Sequence, residues 1–118
     1  MLISMKELLK PTRQHGFAIG AFNVADSCFI RAVVEEAEAT RTPAIISIHP
    51  SEHDFVGDSF FSYVRDITMR SPVPFTLHLE HGASVEHVLR AIQCGVTAVM
   101  IDGALLPYEE NVALTKEV

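Results

Sequence analysis

The run AIISI at residues 44–48 is a β-prone segment that indicates the fold class of this chain. It is short, β-branched and free of the apolar–polar alternation of a strand with one solvent-exposed face, so it is typical of a parallel strand buried on both sides. Three further apolar runs, at 16–23, 73–79 and 98–101, predict strands of the same kind. Because apolar residues at helical spacing separate the runs, each strand is expected to be followed by a helix.

Capping residues and apolar spacing predict where the helices begin and end. Ser4 and Glu7 have the S-x-x-E spacing of a capping box and begin a leading helix over residues 4–10, which Pro11 is expected to bend or stop. The helices between and after the strands are predicted at 29–37, at 58–70 with Asp58 as N-cap, from the N-cap Ser84 to Gly95, and from Pro107 onward.

The succession of strands and helices predicts a parallel α/β fold, since right-handed crossovers bring successive strands side by side. The strand–helix unit repeats with a period of roughly 28 residues, close to that of a (β/α)8 barrel of about 250 residues. Residues 1–118 are therefore interpreted as a single unit, about half of a (β/α)8 barrel, with four parallel strand–helix units after a short leading helix. A doubly wound open sheet is the alternative, but no G-x-G-x-x-G motif follows the first strand.

An isolated half-barrel would expose two edge strands and an apolar inner face to water. The last predicted helix also reaches Val118 without a C-capping glycine. We therefore interpret the chain as truncated. We expect it either to associate with another copy as a homo-oligomer or to be completed by a segment elsewhere.

The composition excludes several classes of partner. Lys and Arg number 9 against 15 Asp and Glu, a net charge of −6, and the basic residues are scattered, so neither nucleic acid nor an anionic membrane is expected as a partner. No apolar stretch reaches the roughly 20 residues that span a bilayer, and the N-terminus is a poor signal peptide. Cys28 and Cys94 form no C-x-x-C motif and are expected to be buried, inert thiols of a cytoplasmic protein.

Polar side chains follow all the predicted strands, at the edge where active sites lie in parallel α/β folds. These residues are Asn23, His49, Glu80 with His81, and Asp102. Within HLEHG (78–82), His78 and Glu80 share one face of a strand, and Gly82 permits a turn that lets Glu80 and His81 reach one cavity. Imidazole and carboxylate suit zinc. Spacing alone equally permits a structural interpretation, in which one histidine fills the core and Glu80 caps the next helix.

The motifs LHLEHGAS (77–84) and GVTAVMIDGALLPYEENVALTKEV (95–118) resemble the class II, metal-dependent ketose-bisphosphate aldolases, the fructose- and tagatose-bisphosphate aldolase group. GAFNV (20–24), ISMKELL (3–9) and EEAEATRTPAIIS (35–47) are similar to the same family. The resemblance covers the whole chain but only the family's N-terminal half. It implies a TIM barrel with a divalent metal, usually Zn²⁺, that polarises a ketose carbonyl and stabilises the enediolate left when C3–C4 breaks. The implied substrate is a phosphorylated sugar, cleaved reversibly to dihydroxyacetone phosphate and an aldehyde.

The resemblance also implies roles for individual residues. His81 matches a metal ligand, and Glu80 matches the acid that carries the proton of the C4 hydroxyl. Asn23 matches a residue that lines the substrate pocket, and Asp102 matches an acid at the end of the fourth strand that lies near the metal. Both are expected to bind substrate. For His78 two interpretations stay open: it orients the Glu80 side chain, or it fills the interior of the barrel.

The sequence departs from the family's pattern in four respects. Glu80 stands where the family has Asp, Ala104 replaces a common Ser, and His49 replaces a small residue, which narrows the pocket or adds a nitrogen ligand. The remaining ligands of the family, a Glu and two His, belong to later strands. Since catalytic zinc needs about three protein ligands, we expect the chain alone to be inactive.

Two other hypotheses remain open. The chain is alternatively a non-catalytic half-barrel that self-associates through its apolar inner face, or part of a metallohydrolase in which His78 and His49 join His81 around zinc. Outside the strand ends, His53 with its neighbours Glu52 and Asp54 is predicted to lie in a solvated loop, and His87 to be exposed on a helix.

Overall fold

A computed structural model describes residues 1–118 as a four-stranded sheet with six helices. The strands are β1 (Ala21–Asn23), β2 (Ala44–Ile48), β3 (Phe75–Gly82) and β4 (Ala98–Ile101). The helices are α1 (Met5–His15), α2 (Ser27–Thr40), α3 (Pro50–Val56), α4 (Asp58–Arg70), α5 (Val85–Gln93) and α6 (Tyr108–Glu117).

The sheet has the order β1-β2-β3-β4, and every neighbouring pair is parallel. Ser47 of β2 lies opposite His78 of β3, which lies opposite Ala98 of β4. All the carboxyl ends of the strands therefore lie along one edge of the sheet. The predicted succession of parallel strands and helices is confirmed.

The two faces of the sheet differ in character because side chains alternate along each strand. Ile46, Phe75 and Leu77 are fully buried in one hydrophobic cluster with residues of the helices, such as Phe61 and Val64. That face holds the helices against the sheet, and burying a side chain of this size contributes roughly 1.5–3 kcal/mol.

The opposite face of β3 carries Thr76, His78 and Glu80, so its polarity increases toward the carboxyl end of the strand. Thr76 is fully buried, whereas His78 and Glu80 are half-buried.

The leading helix is longer than predicted, because Pro11 lies inside α1 and does not end it. Proline removes one backbone hydrogen bond from a helix interior. Both ends of α1 are capped, however: Ser4 and Glu7 form the predicted capping box, and Gly16 takes a left-handed conformation (φ 67°) and donates its N–H to the Thr12 carbonyl at 2.9 Å. Gly16, the C-cap of α1, is the first residue of the first predicted strand, and the observed strand β1 begins only at Ala21.

The prediction of a solvated loop around His53 is wrong, because residues 50–56 form helix α3 and His53 is fully buried. Asp58 also does not cap the following helix. Gly57 is the N-cap of α4 and provides no side-chain hydrogen bond, while the Asp58 carboxylate accepts hydrogen bonds from His53 and Arg90. The tertiary contact with these two donors outweighs the local capping preference.

The last two units bury less apolar surface than their spacing predicts. Leu89 and Ile92 of α5 are 55% and 48% exposed, and α6 has no buried residue. Cys28 is exposed and Cys94 only half-buried, so the prediction of two buried thiols is wrong. None of the helices combines the length and apolar character needed to cross a lipid bilayer.

Candidate active site

The end of β3 is irregular, and this irregularity directs its side chains. The pairing between β3 and β4 shifts register between Leu79 and Gly82, and His81 adopts a positive φ of 45°. Residues other than glycine rarely take this conformation, and it breaks the strict alternation of the strand. Consequently Glu80 and His81 line the same hollow, although they are neighbours in sequence.

Gly82 is required where β3 meets β4. A Cβ atom built on Gly82 would lie 2.7 Å from the Met100 carbonyl oxygen and 2.9 Å from a methyl group of Val88. Only glycine lets the strands approach this closely, which keeps the Glu80–His81 pair next to the end of β4.

The hollow is an open depression of about 850 Å³ at the carboxyl edge of the sheet. Its polar lining comes from the ends of β2, β3 and β4, and leucines from the loop after β4 and from α6 cover one side. The lining residues are His49, Pro50, Glu80, His81, Ala83, Asp102, Ala104, Leu105, Leu106 and Leu114.

Asp102 determines which nitrogen of His81 is free. Its Oδ2 lies 2.8 Å from His81 Nδ1, and its Oδ1 accepts the Ala104 N–H at 3.0 Å. The Ala104 hydrogen bond, followed by that of His81, lowers the pKa of Asp102, so the carboxylate is ionised at neutral pH and acts as an acceptor. His81 therefore donates through Nδ1–H and keeps a lone pair on Nε2, the arrangement found in metal-binding histidines.

Asn23 holds the second acidic group of the site. Its Nδ2 donates a hydrogen bond to Glu80 Oε1, joining the end of β1 to the end of β3 across β2. Asn23 itself does not line the hollow, so its contact with the site is made through Glu80.

His49 has the opposite hydrogen-bonding arrangement to His81. It is the N-cap of α3, and its Nδ1 accepts the Ser51 N–H at 3.2 Å and lies 2.8 Å from Ser51 Oγ. In a neutral imidazole whose Nδ1 accepts, the proton is on Nε2. The rings of His49 and His81 lie 5.9 Å apart, with one set to donate and the other set to ligate.

His78 lies inside the sheet and does not line the hollow. Burial lowers the pKa of its ring, and the charge of Glu80 partly opposes this. His78 precedes Glu80 by two residues and lies on the same face of β3. This position suits a residue that supports the Glu80 side chain.

Sequence reasoning missed a second polar cluster on the helical side of the sheet. His53, Asp58 and Cys94 bring their possible ligand atoms within 4.8 Å of one another, and His53 also contacts His87, 34 residues away. His87 is half-buried, not exposed as predicted. The cluster depends on the packing of α3, α4 and α5, which no local spacing reveals.

Comparison with known proteins identifies the family. A parallel sheet with imidazole and carboxylate groups at its carboxyl edge is the arrangement of a barrel enzyme. Residues 3–118 match the family model described as fructose-bisphosphate aldolase class-II. The chain therefore belongs to the class II fructose-bisphosphate aldolase family.

Individual relatives agree with this assignment. The chain is 39% identical over 121 residues to a 6-phospho-5-dehydro-2-deoxy-D-gluconate aldolase from Halalkalibacterium halodurans, and 34% identical over 122 residues to a fructose-bisphosphate aldolase from Staphylococcus aureus. Each match covers 99% of this chain and 42% of the relative. The chain thus spans less than half of the curated relatives it matches.

The chain also matches less than half of a solved structure. The chain is similar to the YdjI aldolase from Escherichia coli K12 with a TM-score of 0.95 and 28% identity, over 99% of this chain and 45% of that one. This similarity confirms the predicted fold, in which four strand–helix units correspond to part of an aldolase barrel.

Proposed function

We propose that the chain supplies the N-terminal half of a class II aldolase site, which cleaves a phosphorylated ketose reversibly to dihydroxyacetone phosphate and an aldehyde. The observation that carries the proposal is the shared hollow of Glu80 and His81, with Asp102 and Asn23 orienting the two side chains. The substrate class comes from the family, since both curated relatives named above are aldolases of phosphorylated sugars or sugar acids.

The residues of the hollow fit a divalent metal in part. His81 offers Nε2 as a ligand, and the Glu80 carboxylate lies in the same depression, where it is assigned to proton transfer. His49 does not offer a second nitrogen in the same way, because ligation through Nε2 would require it to lose the Ser51 hydrogen bond or its proton. A metal bound at His81 would polarise a ketose carbonyl, and its remaining ligands would have to come from outside these residues.

Each polar residue at the proposed site then has a distinct role. Glu80 accepts the proton of the C4 hydroxyl during cleavage and returns it during the reverse reaction. Asn23 keeps the Glu80 carboxylate oriented, and Asp102 keeps His81 in the ligating tautomer. In this assignment Asp102 acts through His81, in addition to the contact with substrate expected from the sequence. His49 presents Nε2–H to an oxygen atom of the substrate.

The proposal is tested first on metal binding by the chain itself. We expect weak binding of Zn²⁺ or Co²⁺, abolished by His81→Ala and retained by Glu80→Gln, measured by calorimetry and by Co²⁺ absorption. His15→Ala is the control, because that residue is exposed at the end of α1. Metal binding that survives His81→Ala would show that the ion is held elsewhere.

Turnover is tested with the missing ligands restored. The chain is assayed alone, and after co-expression with the segment of the Halalkalibacterium halodurans relative that lies beyond its matched region. Release of dihydroxyacetone phosphate from a ketose bisphosphate is expected only from the pair. Turnover by the chain alone would contradict the half-site proposal.

A second candidate is a non-catalytic assembly module. The observation that favours it is an apolar groove of about 410 Å³ between the edge strand β1 and α2, lined by Phe22, Val33 and Pro43 among others. Phe22 is 46% exposed there. This groove is a different surface from the inner face through which the sequence predicts self-association. A self-associating half-barrel would cover this groove with another copy and form a homo-oligomer, so sedimentation of the chain as a monomer would exclude this candidate.

A further inference from the structure

His53 is an unusual residue in this chain because it is polar, fully buried and hydrogen-bonded through both ring nitrogens. Nε2 lies 2.8 Å from Asp58 Oδ1, and Nδ1 lies 2.8 Å from His87 Nε2. The ring also packs edge-on against Phe61 with a centroid distance of 4.4 Å. A buried imidazole is tolerated when every polar atom has a partner.

The partners of His53 fix the positions of its protons. Asp58 is ionised, because hydrogen bonds from His53 and then from Arg90 lower the pKa of its carboxyl group. In the neutral form of the ring, His53 donates Nε2–H to Asp58, and its Nδ1 accepts from His87 Nε2–H. The result is a directed chain, His87 to His53 to Asp58, that joins α5 to α3 and α3 to α4.

Apart from His53, helix α3 is held by burial of Pro50 and by an exposed ion pair between Asp54 and Arg90 of α5. It has seven residues, and only Pro50 and His53 are buried. A helix this short does not persist by its own hydrogen bonds and depends on tertiary contacts. Its N-cap is His49, whose side chain lines the hollow, and α5 begins shortly after the Glu80–His81 pair.

We propose that His53 is a positioning residue: its hydrogen bonds to Asp58 and His87 fix α3, and thereby hold His49 in its donor orientation at the hollow. This inference rests on the proposed function for the purpose of that orientation. The geometric claim itself requires neither metal nor substrate.

The other groups around His53 favour this role over a second metal site. Asp58 Oδ1 also accepts from Arg90 Nε at 2.8 Å, and Arg90 Nη1 contacts Asp54 at 3.1 Å. The guanidinium of Arg90 therefore already supplies the positive charge that a metal ion would bring to these carboxylates. Burial, followed by the charge of Asp58, raises the pKa of the Cys94 thiol, which disfavours the thiolate that a metal ion requires.

The test compares two substitutions of His53 in the chain as it stands. His53→Gln can keep both hydrogen bonds, since its amide oxygen accepts and its NH₂ donates, whereas His53→Leu keeps neither. His15→Leu is the matched control on an exposed histidine. Long-range ¹H–¹⁵N NMR of the imidazoles reports the tautomer of His49, and hydrogen exchange reports the opening of α3.

We expect His53→Leu to shift the His49 ring signals and to raise exchange at the His53 and Gly57 amides, which are bonded within α3, by about tenfold or more. We expect His53→Gln to restore much of the effect and His15→Leu to have none. If His53→Leu does not fold, His87→Val removes the outer donor from a half-buried position, and the same readouts apply.

Two results would overturn the proposal. One is an unchanged His49 tautomer and unchanged α3 exchange in folded His53→Leu or His87→Val. The other is stabilisation of the unsubstituted chain by Zn²⁺ that disappears in Cys94→Ser, which would make the cluster a metal site. Failure of the aldolase function would show as absence of turnover by the co-expressed pair and as metal binding that survives His81→Ala, and neither result bears on the tautomer of His49 or on hydrogen exchange in α3.

Discussion

Replacing Asp102 with Asn isolates the effect of one carboxylate on the tautomer of His81. The carboxylate only accepts, so it holds the proton on His81 Nδ1, 2.8 Å away. The amide of Asn can either accept from Nδ1–H or donate to a bare Nδ1. The second arrangement places the proton on Nε2 and removes the lone pair proposed to ligate the metal.

The size of the effect follows from the exposure of the pair. The side chains of His81 and Asp102 are 50% and 37% exposed, so water competes with their hydrogen bond. Loss of such a partner of a ligating histidine costs about 10- to 100-fold in metal affinity, and we expect the lower end, about tenfold. The Ala104 N–H can still bond the Asn oxygen, which keeps the loop after β4 in place.

The assay combines imidazole NMR with a Zn²⁺ titration of the same sample. The fraction of His81 with its proton on Nδ1 should fall in Asp102→Asn, and metal affinity should fall with it. Asp66→Asn is the control, since Asp66 is an exposed partner of Arg70 on α4. An Asp102→Asn variant with the original tautomer and the original affinity would refute the argument that Asp102 acts through His81.

Three further outcomes are expected. Glu80→Gln should abolish turnover of the co-expressed pair while His81 still binds metal, and full turnover would remove Glu80 from the proton transfer. Gly82→Ala should lower the free energy of unfolding by about 1–3 kcal/mol in urea titrations, because its Cβ would lie 2.7 Å from a β4 carbonyl oxygen. An unchanged urea midpoint would mean that β3 and β4 can move apart at this point without cost. Acid should destabilise the chain through His87: burial, the largest cause, lowers its pKa from 6.5, so the unfolded chain binds more protons and stability falls as the pH drops below about 6.5. His87→Gln should flatten that part of the pH profile, and an unchanged slope would assign it to another group.

The strand ends could be predicted from sequence because parallel strands leave little freedom. Once AIISI and its counterparts are recognised as buried parallel strands, their carboxyl ends must share an edge, and Glu80, His81 and Asp102 follow. The distribution of protons could not be predicted. His49 and His81 are both histidines after a strand, and only the partner of each Nδ1, a backbone N–H or a carboxylate, distinguishes a donor from a ligand.

The errors around His53 and Asp58 have a common physical cause. HDFVGD (53–58) is polar enough to predict a solvated loop, and Asp58 stands where an N-cap is expected. His87 comes from a helix more than 30 residues later in the chain and is the partner of His53 Nδ1. Arg90 of the same helix donates to Asp58, the acceptor for His53 Nε2–H, so this helix supports burial of His53 at both ring nitrogens. Local propensity is therefore overridden wherever a distant partner satisfies a polar group.

The same argument explains why the two polar clusters of the chain serve different purposes. At the carboxyl edge of the sheet, His81 keeps an unpartnered Nε2 next to an open depression, so it can still take a ligand. In the helical cluster, both nitrogens of His53 have partners and the ring is fully buried, so it has nothing left to bind with. Unsatisfied capacity at an exposed rim indicates chemistry, and complete satisfaction in the interior indicates positioning. By this criterion His49, with one nitrogen engaged and its ring at the hollow, belongs to the chemical site, although its orientation depends on the helical cluster behind it.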